Sequence, residues 1–361
     1  MTRRGWLAIG LALLACYLPH VLWGEFVYED VAWIGAIGQG WTWRPRGLSR
    51  ALWTWQWQLH PSPVTVHAVS VGLHVVVAGL ASVFARRLGL TAFWWLARAI
   101  VLLHPLGVET VAYGAQQGEL IAAIGVLGAC ILATGRWWRP SVWSGIALCL
   151  AFGLLGKESA VVGLWLVPLT IVVTGARTRA ERPLYASLWL PFVLALELTA
   201  GAGMSGNGWS WLVNVGESAG VTVTALDWLL AQSAASVRTL GLLILPFGLT
   251  VDYDYDVLPM AVRWCALGVL VILPAVVWRI RRRWPIEAFC LAALLVVILP
   301  RLIVQTPRSN LNDHHAYLFL PFFGVMVASI WKRVAHDEKP LASGLDRDPV
   351  NVAVADYGAK G

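Results

Sequence analysis

Charge is what this sequence has least of. Asp, Glu, Lys and Arg make up 13% of its 361 residues, about half of the ~25% usual in soluble domains. Apolar residues fill the deficit, at 58% of the chain with a mean hydropathy of +0.67, which excludes a water-filled cytosolic enzyme. Cysteine is also scarce. Cys16, Cys130, Cys149, Cys265 and Cys290 all lie inside apolar runs, with no Cys-x-x-Cys pair and no histidine cluster beside them. They read as small core residues, which excludes a disulfide framework or a cysteine metal site. Acids are the rarer charge, 20 against 27 basic residues. In a chain this apolar, the excess reports loop topology, and no nucleic acid partner is expected.

What is present is a series of long apolar runs. A hydrocarbon core of ~30 Å takes about 20 apolar residues as a helix. Such runs fall at residues 5–24, 64–85, 91–105, 117–135, 140–155, 159–176, 184–201, 258–278, 285–303 and 314–331. The expected fold class is therefore all-α, a polytopic membrane bundle of about ten transmembrane helices over residues 1–333, followed by a short disordered cytoplasmic tail, 334–361. The first run resembles a signal peptide after Thr2-Arg3-Arg4. It lacks a small-x-small cleavage site and is expected to remain as a helix. No internal repeat is visible.

Basic residues sort the loops. Arg3/Arg4, Arg86/Arg87, Arg136/Arg139, Arg177/Arg179/Arg182, Arg279-Ile280-Arg281-Arg282-Arg283 and Lys332/Arg333 fall on alternate sides of successive spans. The positive-inside rule places them, and both termini, in the cytoplasm. Residues 222–246 are apolar enough to cross, yet a crossing there would put the Arg279 cluster outside. They are expected to form an interfacial or re-entrant helix on the outer side. The acids Glu25, Glu29, Asp30, Glu109, Glu119, Glu158, Asp252, Asp254, Asp256 and Asp313 all map outside, where chemistry is to be sought. The first outer loop, about residues 25–62, carries Trp41, Trp43, Trp53, Trp55 and Trp57. Tryptophan favours the headgroup zone, so one or two short interfacial helices are expected there.

Five stretches carry reactive side chains. Glu29-Asp30 would accept a proton or hold a cation, although an acidic pair also serves simply to solvate a helix end. His67 and His74, seven residues apart, share one helix face; they suit headgroup contact, metal ligation or hydrogen bonding between helices. His104-Pro105 through Glu109 ends one helix, and Glu119 starts the next, where the helix dipole alone would favour an acid. Lys157-Glu158 is a turn or a contact for an anionic headgroup. Arg301 through Arg308, then Asp313-His314-His315-Ala316-Tyr317, mixes cations and aromatics as a lipid phosphate requires; the arginines would equally anchor helices.

Over roughly residues 20–325, these stretches in this order resemble the membrane portion of the TMTC-type (transmembrane and tetratricopeptide repeat-containing) O-mannosyltransferases and their bacterial relatives. Those belong to the GT-C class of integral-membrane glycosyltransferases. Phe26-Val27-Tyr28-Glu29-Asp30 resembles the family's Phe-Val-Tyr-Asp-Asp. Val66-His67 through Leu73-His74 resembles its Phe-His-x-x-Asn-x-x-Leu-His, with Ser70 for Asn. His104-Pro105, Glu109 and Val111 match His-Pro-x-x-x-Glu-x-Val. Gln117 and Glu119 answer to Gly-Arg-x-Asp/Glu, with Gln117 in place of Arg. Gly156-Lys157-Glu158 answers to Ser-Lys-Glu, and Leu245-Pro246 through Asp252-Tyr253 to the late Leu-x-Pro segment. Asp313-His314 through Tyr317 and Leu320-Pro321 resembles Glu-Arg-x-Tyr-Leu-Pro, with His314 for Arg. No tetratricopeptide domain is expected.

The resemblance implies a GT-C-like bundle that moves a sugar, with inversion, from a polyprenyl-phosphate donor to a hydroxyl of a protein or glycan acceptor on the outer face. Asp30 is the expected base, with Glu29 or Glu119 positioning the acceptor or a cation. Lys157, Arg301 and His314 are expected at the phosphate, His67 and His74 around the donor, and Glu158, His104, Glu109, Asp313 and Tyr317 among the binding residues. A divalent ion, Mg or Mn, near Glu29 and Asp30 is left open. Membrane lipids are further partners, and the expected location is a bacterial cytoplasmic (inner) membrane. Rival readings are a lipid-linked sugar transporter or flippase, a glycan polymerase or ligase, and a catalytically silent membrane partner.

Overall fold

A computed structural model describes residues 3–26, 30, 46–135, 139–174, 224–249, 258–303 and 316–337, and all regular elements among them are helical. In chain order these are α1 (Arg3–Trp23), α2 (Gly47–Leu59), α3 (Pro63–Arg87), α4 (Trp94–Leu103), α5 (Val108–Ala112), α6 (Gln117–Ala133), α7 (Pro140–Gly156), α8 (Gly163–Thr174), α9 (Ala225–Leu242), α10 (Met260–Ile280), α11 (Pro285–Ile303) and α12 (Phe319–Asp337). Single-turn 3-10 segments cover Pro105–Gly107, Gly114–Gln116 and Glu158–Val162. Backbone groups in hydrocarbon find no water, so helices that satisfy their own N–H and C=O groups are the natural response to these apolar runs.

Four described helices are long and apolar enough to cross a membrane: Pro63–Arg87, Gly114–Ala133, Met260–Ile280 and Pro285–Leu302. A fifth arises if the bent pair Trp94–Leu103 and Pro105–Ala112, 56° apart, is one span; Ala8–Trp23, Pro140–Gly156 and Glu158–Thr174 are shorter apolar helices. The run at 184–201 and the tail from 338 lie outside the described residues. The last helix continues to Asp337 rather than stopping at 333.

Local chemistry sets the helix ends. Ser62 caps α3 by accepting the Val64 N–H, and Pro63 occupies the first turn, where its missing N–H costs nothing. At the other end Gly89 has φ +83, a left-handed conformation that lets the Leu90 N–H reach back to the Ala85 carbonyl. Pro105 breaks the ladder after His104 and produces the bend between α4 and α5.

The antiparallel pair α6 and α7 forms the centre. In the span that includes α6, 78% of residues are buried inside the protein, against 17% in α10. α10 accordingly turns Val262, Trp264, Val271, Ile272 and Trp278 outward, the arrangement of a helix suited to face lipid. Glycines let α6 and α7 approach. A Cβ at Gly125 would stand 2.5 Å from the Cys149 carbonyl oxygen and 2.6 Å from the Gly153 Cα, both backbone atoms that cannot step aside. We expect Gly125→Ala to cost about 1–3 kcal/mol by forcing the helices apart. Gly72→Ala, where a Cβ meets nothing within 4 Å, should leave the melting temperature in detergent unchanged or slightly raised.

The bundle has two chemically distinct ends. Arg86, Arg87, Arg139, the Arg279 cluster, Lys332 and Arg333 lie at one; Glu25, Asp30, Glu109, Glu119 and Glu158 lie at the other. α9 has both extremities tied to the acidic end. The Trp228 indole donates to the carbonyl of Arg301 in the last turn of α11 (3.1 Å), and His104 Nε2, where α4 ends, donates to the carbonyl of Leu243 (3.1 Å). A crossing helix would have its termini at opposite ends, so α9 lies across the bundle.

Candidate functional site

The acidic end is assembled by α2, a helix from the first long loop. Arg46 precedes it with a left-handed backbone, φ 67, and its guanidinium grips Glu158 through two bonds, 2.6 and 3.2 Å. The Ser49 hydroxyl donates to the Gly156 carbonyl (2.6 Å), and Gln56 and Gln117 exchange amide bonds of 2.8 and 3.1 Å. Trp53 corrects one expectation. It is not a headgroup side chain: it is 1% exposed, with its indole N–H donating to the Gly114 carbonyl at 3.0 Å. That bond satisfies its one polar atom and so permits deep burial. Trp55, on another face of α2, is 54% exposed as the loop's composition suggested.

Behind α2 is a buried ion pair. Lys157, in the break after α7, places Nζ 2.9 Å from Glu119 Oε1, and both side chains are almost fully enclosed. Nζ also donates to Gln116 Oε1 (2.7 Å), and the Ser159 hydroxyl donates to Glu119 Oε2 (2.5 Å). Burial pushes the Lys157 ammonium below its ordinary pKa, while the Glu119 carboxylate opposes the fall. The half-buried Arg301, from the last turn of α11, is close enough to interact electrostatically with Glu119, Glu158 and Arg46.

The turn Gly114–Gln116 links this pair to Asp30. The Ala115 N–H donates to Asp30 Oδ1 at 2.6 Å, and the next residue, Gln116, holds Lys157. Asp30 is fully buried, and a Cβ at Gly114 would stand 2.6 Å from the Val66 side chain, 2.9 Å from Trp53 and 3.4 Å from Asp30 Oδ1. Glycine is therefore required where the turn presses against the base candidate. Among the described residues no three His, Cys, Asp or Glu side chains gather as a metal-binding group.

Both α3 histidines are buried in contacts between helices. His67 Nδ1 is 3.1 Å from His20 Nε2, which is also 2.9 Å from the Ala112 carbonyl. His74 Nδ1 accepts the Tyr317 hydroxyl at 2.6 Å, and its Nε2 faces the Leu102 carbonyl and the Tyr17 hydroxyl, each at 3.4 Å. Because a carbonyl only accepts, Nε2 carries the proton. Of the alternatives weighed for these histidines, hydrogen bonding between helices is the one the geometry displays. His104 also accepts the Leu106 N–H (3.2 Å), and Glu109 lies half-buried on α5.

Asp30, Glu119, Lys157, Glu158 and Arg301 thus gather at one end, with the His67 and His74–Tyr317 groups in the adjoining core. Glu29, Asp313 and His314 lie outside the described residues. Sequence reasoning missed Arg46, Ser49, Gln56, Gln116 and Ser159. Each is a common polar residue whose partner lies far away in the chain; a buried amide such as Gln56 inside a tryptophan-rich helix was the one signal available.

Over 106 residues, 29% of this chain and 85% of the other, the sequence is 30% identical to a protein described as a UPF0060 membrane protein from Cellvibrio japonicus (strain Ueda107). No family model and no solved structure matches the chain.

Proposed function

On the premise that this chain belongs, through that 106-residue stretch, to the UPF0060 membrane protein family, we propose that it is a GT-C-type glycosyltransferase. It would move a sugar from a polyprenyl-phosphate donor to a hydroxyl of a protein or glycan. The observation that carries this reading is the Gly114–Gln116 turn, which holds an acid and a cation on adjacent residues: Asp30 through Ala115 and Lys157 through Gln116. A displacement at the anomeric carbon needs both. The attacking hydroxyl gives its proton to a carboxylate of the Glu29-Asp30 pair as the carbon–oxygen bond forms. The phosphate departs with the bonding electrons toward Lys157 and Arg301, and attack opposite the leaving group inverts the anomeric configuration. A divalent ion beside Glu29 and Asp30 would share the task of neutralising phosphate.

The topology that goes with this reading has about ten crossings, with the arginine-rich end in the cytoplasm of a bacterial inner membrane and the Asp30 end outside. A transporter for lipid-linked sugars would gather its ionisable groups near the bilayer midplane. Here the Glu119–Lys157 and Glu287–Arg333 pairs sit at the two ends of helices, which favours catalysis. In proteoliposomes supplied with polyprenyl-phosphate sugars labelled in the sugar, we expect label to pass to added peptide or glycan acceptors, or slowly to water, with inverted anomeric configuration by NMR. Intact donor after prolonged incubation of folded protein would overturn the reading.

A further inference from the structure

At the arginine-rich end, some 20 Å along α11 from Arg301 at 1.5 Å per residue, helices α10, α11 and α12 enclose a cavity of about 1000 Å³. Its charges are uneven. Glu287 is buried and saturated: it accepts the Ser329 hydroxyl at 3.0 Å and two bonds from Arg333 at 2.6 and 3.1 Å. With that pair neutral, the described lining keeps two more cations, Arg283 and Lys332, and Glu287 is the one acid among the described lining residues. Lys332 spends one donor on the Gly89 carbonyl at 3.2 Å, and an ammonium has three. Away from these cations the wall turns apolar, with Val276 and Ile280 from α10, Leu291 from α11, and Met326 and Ile330 from α12. Trp284 lies under Arg283, 5.5 Å from guanidinium carbon to ring centroid, at the level where tryptophan meets headgroups.

A cationic rim over an apolar wall, open beside a helix that faces lipid, fits an amphiphile with an anionic head. A free anion would leave the wall unused, and a neutral lipid would leave the rim uncompensated. We propose that this cleft binds one anionic phospholipid, with its phosphodiester between Arg283 and Lys332 and an acyl chain along Met326, Leu291 and Val276. Basic recesses between transmembrane helices are suited to such headgroups. The lipid would join α10, the least enclosed of the four long apolar helices, to α11 and α12. The inference is independent of the glycosyl-transfer reading, because it uses the opposite end of the bundle and no residue of that site.

Native mass spectrometry of the full chain in detergent, titrated with phosphatidylglycerol or phosphatidylcholine, tests it. We expect one phosphatidylglycerol retained with roughly 30-fold preference, the sum of two cations near an anionic headgroup. The double variant Arg283→Ala/Lys332→Ala should lose that preference. Arg279→Ala/Arg282→Ala, which removes two cations outside the lining, should keep it and thereby separates a built site from diffuse attraction. Met326→Trp should evict both lipids by filling the wall, with an unchanged melting temperature in lipid-free detergent showing that it folds. Equal retention of the two lipids, an unaltered preference in the Arg283/Lys332 variant, or displacement by glycerol phosphate alone would overturn the proposal. So would a gain of lipid on deleting residues 340–361, which would make the chain's own tail the occupant.

Discussion

Asp30→Asn is expected to slow sugar transfer by about 10²–10⁴-fold, the usual contribution of a positioned general base. The substitution removes the carboxylate's charge and its capacity to take the proton. An asparagine side-chain oxygen can still accept the Ala115 N–H that now bonds Asp30 Oδ1 at 2.6 Å, so the Gly114–Gln116 turn should stay in place. The matching readouts are the initial rate with labelled donor, and donor binding and melting temperature, both of which should barely move. Glu29→Gln supplies the comparison within the same motif. If Asp30→Asn transferred at the wild-type rate, the buried carboxylate would be a strut for the turn and the base would have to lie elsewhere.

The Glu119–Lys157 pair should respond in a way that separates architecture from chemistry. Lys157→Met takes the contacting cation from Glu119, which would keep the Ser159 hydroxyl as its described hydrogen-bond partner and Arg301 as a more distant charge. Removing one member of a buried ion pair typically costs about 3–5 kcal/mol, whereas replacing both members with apolar groups is often neutral or better. The double variant Lys157→Met/Glu119→Leu should therefore regain most of the melting temperature lost by Lys157→Met. It should not regain transfer, because a preorganised cation at the leaving phosphate is worth about 10²–10³-fold. Thermal unfolding in detergent and the transfer assay, run on the same samples, report the two effects. A double variant that is both stable and active would reduce the pair to a structural clamp.

The membrane helices were legible in the sequence because bilayer thickness imposes a length on every apolar run, and length is a one-dimensional property. Runs read at 140–155, 258–278 and 285–303 appear as Pro140–Gly156, Met260–Ile280 and Pro285–Ile303. Proline punctuation at Pro105 added the boundary between α4 and α5. Residues 222–246, expected from the charge pattern as an outer interfacial or re-entrant helix, contain α9, whose two ends hydrogen-bond to His104 and to the Arg301 carbonyl. The side-chain partnerships were not legible. Arg46 and Glu158 are 112 residues apart, and Trp53 is 61 residues from its Gly114 acceptor. No periodicity connects such positions, so Trp53 looked like a surface tryptophan until its hydrogen bond was seen.

Apolar run length and the sign of loop charge were therefore enough to establish a helical membrane protein with chemically different ends, since both act through the bilayer on each segment separately. Only packing decided which polar residues at the acidic end meet. Lys157 has a buried counter-ion because α6 and α7 cross on glycines close enough to bring Glu119 to it. Asp30 has a fixed orientation because a turn more than eighty residues away offers it an N–H. Desolvation makes an unpaired buried charge costly, so these partnerships depend on the three-dimensional neighbours that each segment acquires on folding.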